Sequence, residues 1–528
     1  MRIDRPTFGV LVPAWALWVM CSCARDEPVE IEPNRPNFVY ILADDLGFGD
    51  VRAYNPESKI PTPHIDQLAS EGMRFTDAHS PSSVCTPTRY ALLTGRYSWR
   101  SPLTSGVLWS YGRSLIEPDR PTVASMLKQH GYATAVIGKW HLGLDWKLNE
   151  PLERVIETDR VSTNENGLVM NMEHDLIDFT QPVEGGPATA GFDDSFILPS
   201  SLDIPPYGFF ENNTLVAPMS DFTEGNDLNT GGTGAFWRPG PMMEGFDFYQ
   251  VLPTFKKKAI AYLESKAEPI ESVERNEPFF LYLPLAAPHT PWVPTEEHDA
   301  SSEAGTYGDF VSMVDAAVGE VLEALDRLQL SENTIVVFTS DNGPYWGPEW
   351  IERFDHHAAG PLRGQKADIW EGGHRVPFIV RWPGRIAPGS TSAKTTTLTN
   401  WIATSADVLG VALSAGAGED SVSVLPELLG GTRPDDEPVI HHSLDGVFAI
   451  RQGPWKLVEG RGSGGFSDPQ HYEPQAGEPE GQLYNLDEDL GEELNLYLDR
   501  PELVKTLTRA LDAIRDKTSH AEKKISRP

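Results

Sequence analysis

The stretch NFVYILA at residues 37–43 decides the fold, since it is an almost unbroken apolar run that ends at Asp44 and Asp45. A run of this kind, without polar alternation, is typical of a strand that is buried on both faces of a parallel sheet. Similar runs follow at residues 133–137, 279–283, 335–339 and 378–380. Amphipathic helical patterns lie between them, as at residues 121–130 and 307–328. The alternation predicts an α/β fold with a large, mainly parallel sheet flanked by helices.

The rest of the chain divides into an insertion-rich middle and a smaller C-terminal part. Residues 149–250 are rich in Gly, Pro, Asn and acidic residues and are weakly periodic. We interpret them as long insertions near the active-site rim, where substrate selectivity is often determined. Residues 432–438 have the composition of a linker. The pattern predicts a catalytic domain over residues 36–430 and a C-terminal α+β subdomain over residues 438–528. The subdomain would hold short antiparallel strands and a closing helix, at residues 447–450, 455–458, 482–486 and 501–518.

The N-terminus has the pattern of an export signal. Arg2 and Arg5 precede an uncharged apolar run at residues 8–20, and Cys21-Ser22-Cys23-Ala24 follows. A run this short with small residues behind it predicts a signal peptide over residues 1–23 rather than a membrane span. We expect an exported protein, either periplasmic, freely secreted, or a bacterial outer-membrane lipoprotein with a lipid anchor at Cys23.

Cysteine content and charge exclude several classes of protein. The three cysteines are Cys21, Cys23 and Cys85, so only Cys85 lies in the fold proper and a disulfide framework is excluded. The formal net charge of −34 argues against nucleic acid as a partner. An anionic substrate is still compatible with it, because surface charges are screened over roughly 10 Å at 0.1 M salt. A basic pocket can therefore work inside an acidic shell.

Polar clusters follow four of the predicted strands. In open α/β sheets ligands bind at the carboxyl ends of the strands, where such clusters meet. Each cluster alone is also compatible with a turn or a helix cap, but four at one edge favour a functional site. The clusters are Asp44-Asp45, Gly138-Lys139-Trp140-His141, Pro288-His289-Thr290-Pro291 and Ser340-Asp341-Asn342-Gly343.

The residue types in these clusters are chemically compatible with one another. Hard oxygen donors, which suit Ca²⁺ or Mg²⁺, are supplied by Asp44, Asp45, Asp341 and Asn342. A zinc hydrolase is disfavoured, because His-Glu-x-x-His and zinc-ligand spacings are missing. Positive charges that complement a tetrahedral oxyanion come from Arg89, Lys139 and Lys366. Acid and base groups that work near neutral pH are His141 and His289.

At this point the motifs match a known family. The run CTPTRYALLTGR at residues 85–96 resembles the type I sulfatase signature, Cys-x-Pro-x-Arg followed by Leu-Thr-Gly. GKWHLG at residues 138–143 is similar to the second signature of that family. LRGQK at residues 362–366 resembles the family's lysine-bearing segment. The sequence as a whole, including EGGHR at residues 371–375, most resembles arylsulfatase-like and N-acetylgalactosamine-6-sulfatase-like members. LYNL at residues 483–486 resembles a strand of the family's C-terminal subdomain.

The resemblance implies an alkaline-phosphatase-like fold and a modified cysteine. Cys85 would be oxidised during export to Cα-formylglycine (3-oxoalanine) by a formylglycine-generating enzyme that reads Pro87 and Arg89. Thr88 departs from the Ser that is most often found there, and it keeps the hydroxyl. Arg89 and Lys139 would orient the formylglycine and offset negative charge. Calcium would be held by the modified Cys85 together with Asp44, Asp45, Asp341 and Asn342.

The resemblance also implies a mechanism and a substrate class. One hydroxyl of the hydrated aldehyde, deprotonated with help from Asp341, would attack sulfur, and His289 with Lys366 would stabilise or protonate the leaving alcohol. The second hydroxyl, deprotonated by His141, would expel sulfate, an intramolecular exit that Ser or Cys lacks. The expected substrate is an aryl sulfate or a sulfated carbohydrate, such as a sulfated polysaccharide.

Three alternatives stay open at this stage. The chain could be a formylglycine-dependent phosphodiester or phosphonate hydrolase, which shares the nucleophile and the metal site. It could be an inactive module that binds sulfated glycans, or a family member in which Cys85 is never modified. Weaker site candidates are His356 and His357 near substrate hydroxyls, His374 with a structural role, and residues 203–207 and 237–238 at the entrance.

Overall fold

The computed structural model describes Met1 and residues 35–226, 234–267, 277–433 and 437–525. The predicted signal peptide, with Cys21 and Cys23, lies outside these residues apart from Met1. Within the described ranges, no helix is both long enough and apolar enough to cross a membrane.

The strands of the described chain are short except at the centre of the main sheet. In chain order they are β1 Asn37–Ala43, β2 Met73–Phe75, β3 Ala78–His79, β4 Ala133–Lys139, β5 Val161–Thr163, β6 Val169–Met172, β7 Asp194–Leu198, β8 Phe210–Glu211, β9 Thr214–Leu215, β10 Asp221–Thr223, β11 Gly240–Met242, β12 Phe279–Pro284, β13 Thr334–Ser340, β14 Phe378–Arg381, β15 Ser390–Ser392, β16 Thr396–Thr397, β17 Val439–His442, β18 Phe448–Gln452, β19 Trp455–Val458 and β20 Gln482–Asn485.

The α-helices lie between and after these strands. They are α1 Pro63–Glu71, α2 Cys85–Thr94, α3 Val123–Gln129, α4 Leu152–Val155, α5 Val251–Ala267, α6 Gly305–Arg327, α7 Pro348–Phe354, α8 Glu371–His374, α9 Trp401–Leu409, α10 Leu425–Leu428 and α11 Pro501–Ile525.

The main sheet has ten strands in the order β15-β2-β14-β13-β1-β12-β4-β7-β8-β9. Its centre, from β13 to β7, is parallel throughout. Every residue of β1 is buried, because apolar clusters cover both faces of the sheet. The predicted large sheet with flanking helices is therefore confirmed, and β1 has the predicted bounds.

Two sequence interpretations of the sheet are wrong. The run at residues 378–380 was expected among the parallel strands, but β14 pairs antiparallel with β13, in a register that joins Phe338 to Ile379. Residues 149–250 are more than insertions, since β7 lies inside them and pairs in parallel with β4. Burial alone produced the apolar pattern of β14, and a buried strand has the same composition in either direction.

The C-terminal part forms its own antiparallel sheet, in the order β17-β18-β19-β20. Its apolar face packs against α11, where Leu507 and Leu511 meet Ile450 and Leu457. The predicted small antiparallel sheet with a closing helix is thus confirmed, and β17 is a strand that the sequence pattern did not predict. The two domain boundaries themselves stay predictions.

Gly138 fixes how closely β4 and β12 approach at the active-site edge. Its φ is +143°, and a Cβ there would overlap the backbone carbonyl oxygen of Pro284. We expect Gly138→Ala to lower the free energy of unfolding by about 3 kcal/mol, because backbone atoms cannot yield as a side chain would. Urea unfolding would measure this.

The matched control is Gly167→Ala, since Gly167 also has positive φ but nothing within 4 Å of a built Cβ. It should cost only about 1 kcal/mol, the price of the backbone conformation alone. Equal losses in the two variants would show that the contact with Pro284 has no role.

Candidate active site

The four predicted polar clusters meet at the carboxyl edge of the parallel strands. Asp44 and Asp45 follow β1, Asp341 and Asn342 follow β13, and Lys139 is the last residue of β4. His141 and His289 follow β4 and β12 on the same edge. All of these side chains are buried, and the least buried is His289, at 5% exposure.

Cys85 lies where helix α2 begins. It is the first helical residue, no side chain of the described residues caps this end, and Cys85 is 2% exposed. Its Sγ is 3.7 Å from Asp44 Oδ1. The helix therefore directs its free N-terminal amides and positive dipole end toward the acidic cluster, as an anion site requires.

Three carboxylates at this edge are matched by three cations. Lys139 Nζ lies 2.9 and 2.7 Å from the two oxygens of Asp44. Arg89 donates to Asp341 Oδ2 from Nε at 3.0 Å and from a terminal nitrogen at 2.7 Å. Lys366 Nζ donates to Asp45 Oδ2 at 2.8 Å, and this completes the set. The cluster of three carboxylates and three cations is formally neutral. A bound divalent cation would therefore give it a net positive charge, which attracts an anionic substrate.

The oxygen donors fit a hard divalent cation. Asn342 directs its amide nitrogen to Asp45 Oδ1 at 2.7 Å, and its Oδ1 is buried with no hydrogen-bond partner in the described structure. Ligand atoms of Asp44, Asp45, Cys85 and His289 lie within 4.8 Å of one another. An unpartnered amide oxygen beside carboxylates is the donor chemistry that Ca²⁺ prefers.

Ser201 links two of the candidate catalytic groups and was not predicted. Its hydroxyl is 3.1 Å from Lys139 Nζ and 3.2 Å from His289 Nε2. The His289 ring also donates from Nδ1 to the carbonyl of Thr290. Since Ser201 follows β7, recognising β7 as a sheet strand would have placed this serine at the site.

His141 presents an unused nitrogen. Its Nε2 contacts the Leu108 carbonyl at 2.9 Å and is therefore protonated, while Nδ1 is buried with no partner among the described residues. Burial, together with the charges of Lys139 and Arg89, lowers the pKa of His141 well below its usual value. The ring is neutral, with Nδ1 free to accept a proton.

Burial and neighbouring charges shift the acid groups in opposite directions. Burial and then the charge of Asp44 raise the pKa of Asp341 to about 6. Burial alone would raise the pKa of Asp44, but Lys139, His289 and Arg89 hold it well below its usual value. Different roles for neighbouring carboxyls are typical of active sites.

One weaker candidate pair lies next to the site. Asp203 Oδ1 is 3.9 Å from His289 Nδ1, and Asp203 Oδ2 forms an ion pair with Arg238. The guanidinium of Arg238 lies over the rings of Trp109 and Phe236, at 5.1 and 5.0 Å from their centroids. The carboxylate and guanidinium therefore form a polar wall beside His289, flanked by aromatic rings.

The three weaker histidine candidates have different surroundings. His356 is buried and bonded through Nε2 to Asp50 Oδ1 at 2.8 Å, which is a structural contact. His357 is exposed. His374 is fully buried in a separate polar cluster with His79. The structure therefore brings none of the three into contact with the Asp44 and Asp45 carboxylates.

Comparison with known proteins gives consistent matches. The family model described as Sulfatase matches residues 36–184 and 208–411. An N-acetylgalactosamine-6-O-sulfatase of Bacteroides thetaiotaomicron is 32% identical over 96% of this chain and 98% of its own length. Human arylsulfatase A is 32% identical, with 87% and 83% covered. A solved structure from work on glycosaminoglycan metabolism by B. thetaiotaomicron superposes with a TM-score of 0.76 at 31% identity, over 91% of this chain and 99% of the other.

Proposed function

Because this chain belongs to the sulfatase family and is a sulfuric ester hydrolase, we propose that it removes sulfate from sulfated carbohydrates by means of a formylglycine made from Cys85 and a bound calcium ion. The observation that carries the proposal is the meeting of Cys85, at a helix N-terminus, with a neutral cage of three carboxylates and three cations. Each cation has its own carboxylate, and Arg89 lies 3.4 Å from Asp44 as well.

Calcium would be held by Asp44, Asp45, Asp341 and Asn342, which supply the oxygen donors. When bound, the ion polarises the sulfate group and the residue at position 85. The buried, unpartnered Oδ1 of Asn342 supports this assignment, because an unsatisfied amide oxygen in a dry site is costly without a ligand.

A modified Cys85 suits this site better than a free thiol. Burial raises the pKa of the Cys85 thiol well above its usual value, and the charges of Lys139 and Lys366 do not overcome that effect. A buried neutral thiol is a poor nucleophile. The aldehyde hydrate supplies one hydroxyl to take up the sulfuryl group and a second to release it.

The remaining groups have positions that match separate proton-transfer steps. Asp341 helps to deprotonate the attacking hydroxyl, and His141 accepts a proton at Nδ1 during sulfate release. Lys366 and the doubly protonated form of His289, which both face Asp45 Oδ2, donate to the departing alcohol oxygen. Arg89 and Lys139 hold Asp341 and Asp44 in place and offset the charge of the transferred group.

A sugar substrate is supported by the relatives and by the Asp203–Arg238 ion pair beside His289. The B. thetaiotaomicron relative is named for a sulfated amino sugar. Asp203 has an oxygen without a hydrogen-bond partner in the described structure, and Arg238 is 37% exposed. Together they offer an acceptor and a donor for sugar hydroxyls close to the leaving-group side of the site.

Side-by-side kinetics would test the reaction class. We expect kcat/KM for 4-nitrophenyl sulfate to exceed that for bis-4-nitrophenyl phosphate by about 100-fold or more. Both esters carry a single negative charge, but the diester has a second aryl group that the buried cage would have to admit. Among sulfated sugars, N-acetylgalactosamine 6-sulfate should release sulfate. The rates of sulfate release from other sulfated monosaccharides would measure the selectivity. A strong preference for the diester would show a phosphodiesterase, and glycan binding without turnover would show a binding module.

Export and lipidation at Cys23 stay predictions from the N-terminal sequence. Cys85 is buried in the folded protein, so a formylglycine-generating enzyme could reach it only before folding is complete. Modification during export meets that condition. Globomycin sensitivity of processing in a bacterial host would distinguish the lipoprotein from the freely secreted form.

A further inference from the structure

Asp50 is a buried carboxylate that takes no part in the proposed chemistry. It closes the loop at residues 44–50 that follows β1, which we call the β1 loop, and it is fully buried. Gly47 N–H donates to its Oδ2 at 2.7 Å, and the Tyr307 hydroxyl donates to the same oxygen. His356 Nε2 donates to its Oδ1 at 2.8 Å. Asp50 therefore joins the β1 loop to helix α6, which holds Tyr307, and to the segment after α7, which holds His356.

The β1 loop carries Asp45 in an uncommon backbone conformation. Asp45 has a φ of +65°, in the left-handed region that residues other than glycine rarely adopt. Such a conformation persists only where surrounding contacts hold it. At the start of the loop, Asp45 N–H donates to Asp341 Oδ1 at 3.2 Å and Leu46 N–H donates to Ser340 Oγ at 2.9 Å. Asp50, with its three donors, holds the other end.

The two ends of the β1 loop cannot move independently of their surroundings. A Cβ built on Gly47 would lie only 2.0 Å from the Ala358 carbonyl oxygen, so the segment after α7 packs directly on the loop. The Tyr307 hydroxyl oxygen lies 3.4 Å from the Asp45 carbonyl oxygen. Because a hydroxyl has one proton and Asp50 accepts it, this second contact is packing rather than a hydrogen bond. Tyr307 therefore contacts both ends of the β1 loop and couples their positions.

We propose that Asp50 is a positioning residue for calcium binding. With Tyr307 and His356, it holds the β1 loop so that the Asp45 carboxylate faces the cage before the ion enters. The inference rests on the proposed function, in which Asp45 is a calcium ligand, and Asp50 itself touches neither calcium nor substrate. A ligand that is already oriented costs less ordering when the ion binds. Replacing the partners that orient metal ligands typically lowers metal affinity about 10- to 100-fold.

A purely structural role is the competing explanation, because a buried, hydrogen-bonded carboxylate can stabilise any part of a fold. Asp315 provides the comparison. It is 2% exposed, and its carboxylate accepts from the backbone N–H groups of His64 and Ile65 at 3.2 and 2.8 Å, where α1 begins. These partners lie outside both the β1 loop and the cage. Asp315→Asn is therefore the matched control for Asp50→Asn.

Calcium titration of the full chain, freed of metal by chelation and followed by calorimetry, would test the proposal. In Asp50→Asn the new NH₂ group would meet the donors that the carboxylate accepts from, so the β1 loop should lose its support. We expect the Kd for calcium to rise about 10-fold or more. Asp315→Asn should change this Kd by less than about 2-fold, whatever its effect on thermal unfolding. Saturating calcium should restore kcat of Asp50→Asn to within about 3-fold of the wild type, and a loss of kcat that calcium does not restore would contradict the positioning role.

Tyr307→Phe separates positioning from the charge of Asp50, because it removes a donor and no charge. It should raise the Kd for calcium about 3-fold or more, and it is also the milder change for folding. Wild-type affinity in Tyr307→Phe would overturn the proposal in favour of a charge effect, and wild-type affinity in Asp50→Asn would leave a structural role only. Either result leaves calcium binding by the wild type intact. A wild type that binds no calcium would overturn both this inference and the calcium site of the proposed function.

Discussion

Replacing Cys85 by alanine is expected to lower kcat/KM for sulfate esters by at least about 10⁴-fold, the scale of loss when a nucleophile is removed. In the proposed mechanism, the alanine removes both the attacking group and the group that releases sulfate. The fold should survive, because the one side-chain contact of hydrogen-bond type that Cys85 makes among the described residues is with Asp44, and α2 continues into the core through Tyr90 and Leu93. Activity and thermal unfolding, measured on the same samples, would check both halves of this expectation.

Cys85→Ser is the matched variant that tests the aldehyde itself. It keeps one hydroxyl of similar size but lacks the second, so a sulfuryl group taken up at position 85 has no internal exit. We expect at most one turnover and a mass gain of about 80 Da on the protein. In the wild type the peptide containing residue 85 should be lighter than its cysteine form by about 18 Da. Sustained turnover by the serine variant, or an unmodified thiol in active wild-type protein, would contradict the mechanism.

The fold could be predicted from sequence where burial alone determines composition. The run at residues 37–43 is buried on both faces, and its predicted and observed bounds agree. Burial carries no information on strand direction, so the antiparallel pairing of β14 was missed. β7 was missed as well, because only Phe196, Ile197 and Leu198 are apolar there and acidic Asp193 and Asp194 precede them.

For the candidate site, the sequence predicted which side chains lie there but not how they contact one another. The strand ends identified Asp44 and Lys139 as neighbours, but only the structure shows that each carboxylate of the cage has its own cation. Ser201 and the Leu108 carbonyl contact catalytic candidates from segments with no motif. The buried cluster of His79, His374 and His441 was not predicted, because its members lie 295 and 67 residues apart in the chain and no motif connects them.

Replacing His289 by asparagine is expected to affect substrates according to how readily their alcohol leaves. His289 Nε2 is 3.6 Å from Asp45 Oδ2, on the side where Lys366 also faces the cage, and in the proposed mechanism its doubly protonated ring gives a proton to the departing oxygen. A sugar alkoxide is a poor leaving group and needs a proton, so kcat for a sulfated sugar should fall about 10³-fold. The phenolate of 4-nitrophenyl sulfate leaves without that help, and its kcat should fall less than about 10-fold.

The ratio of these two effects separates proton donation from a merely structural role. A variant that only disturbed the site would lower both rates by similar factors, since both substrates share the same sulfuryl transfer. His357→Gln is the control, because His357 is exposed on the surface, and it should leave both rates within about 2-fold. If His289→Asn lowered kcat equally for the two substrates, His289 would not be the proton donor to the leaving group. Lys366, which also contacts Asp45, would then be the proton source.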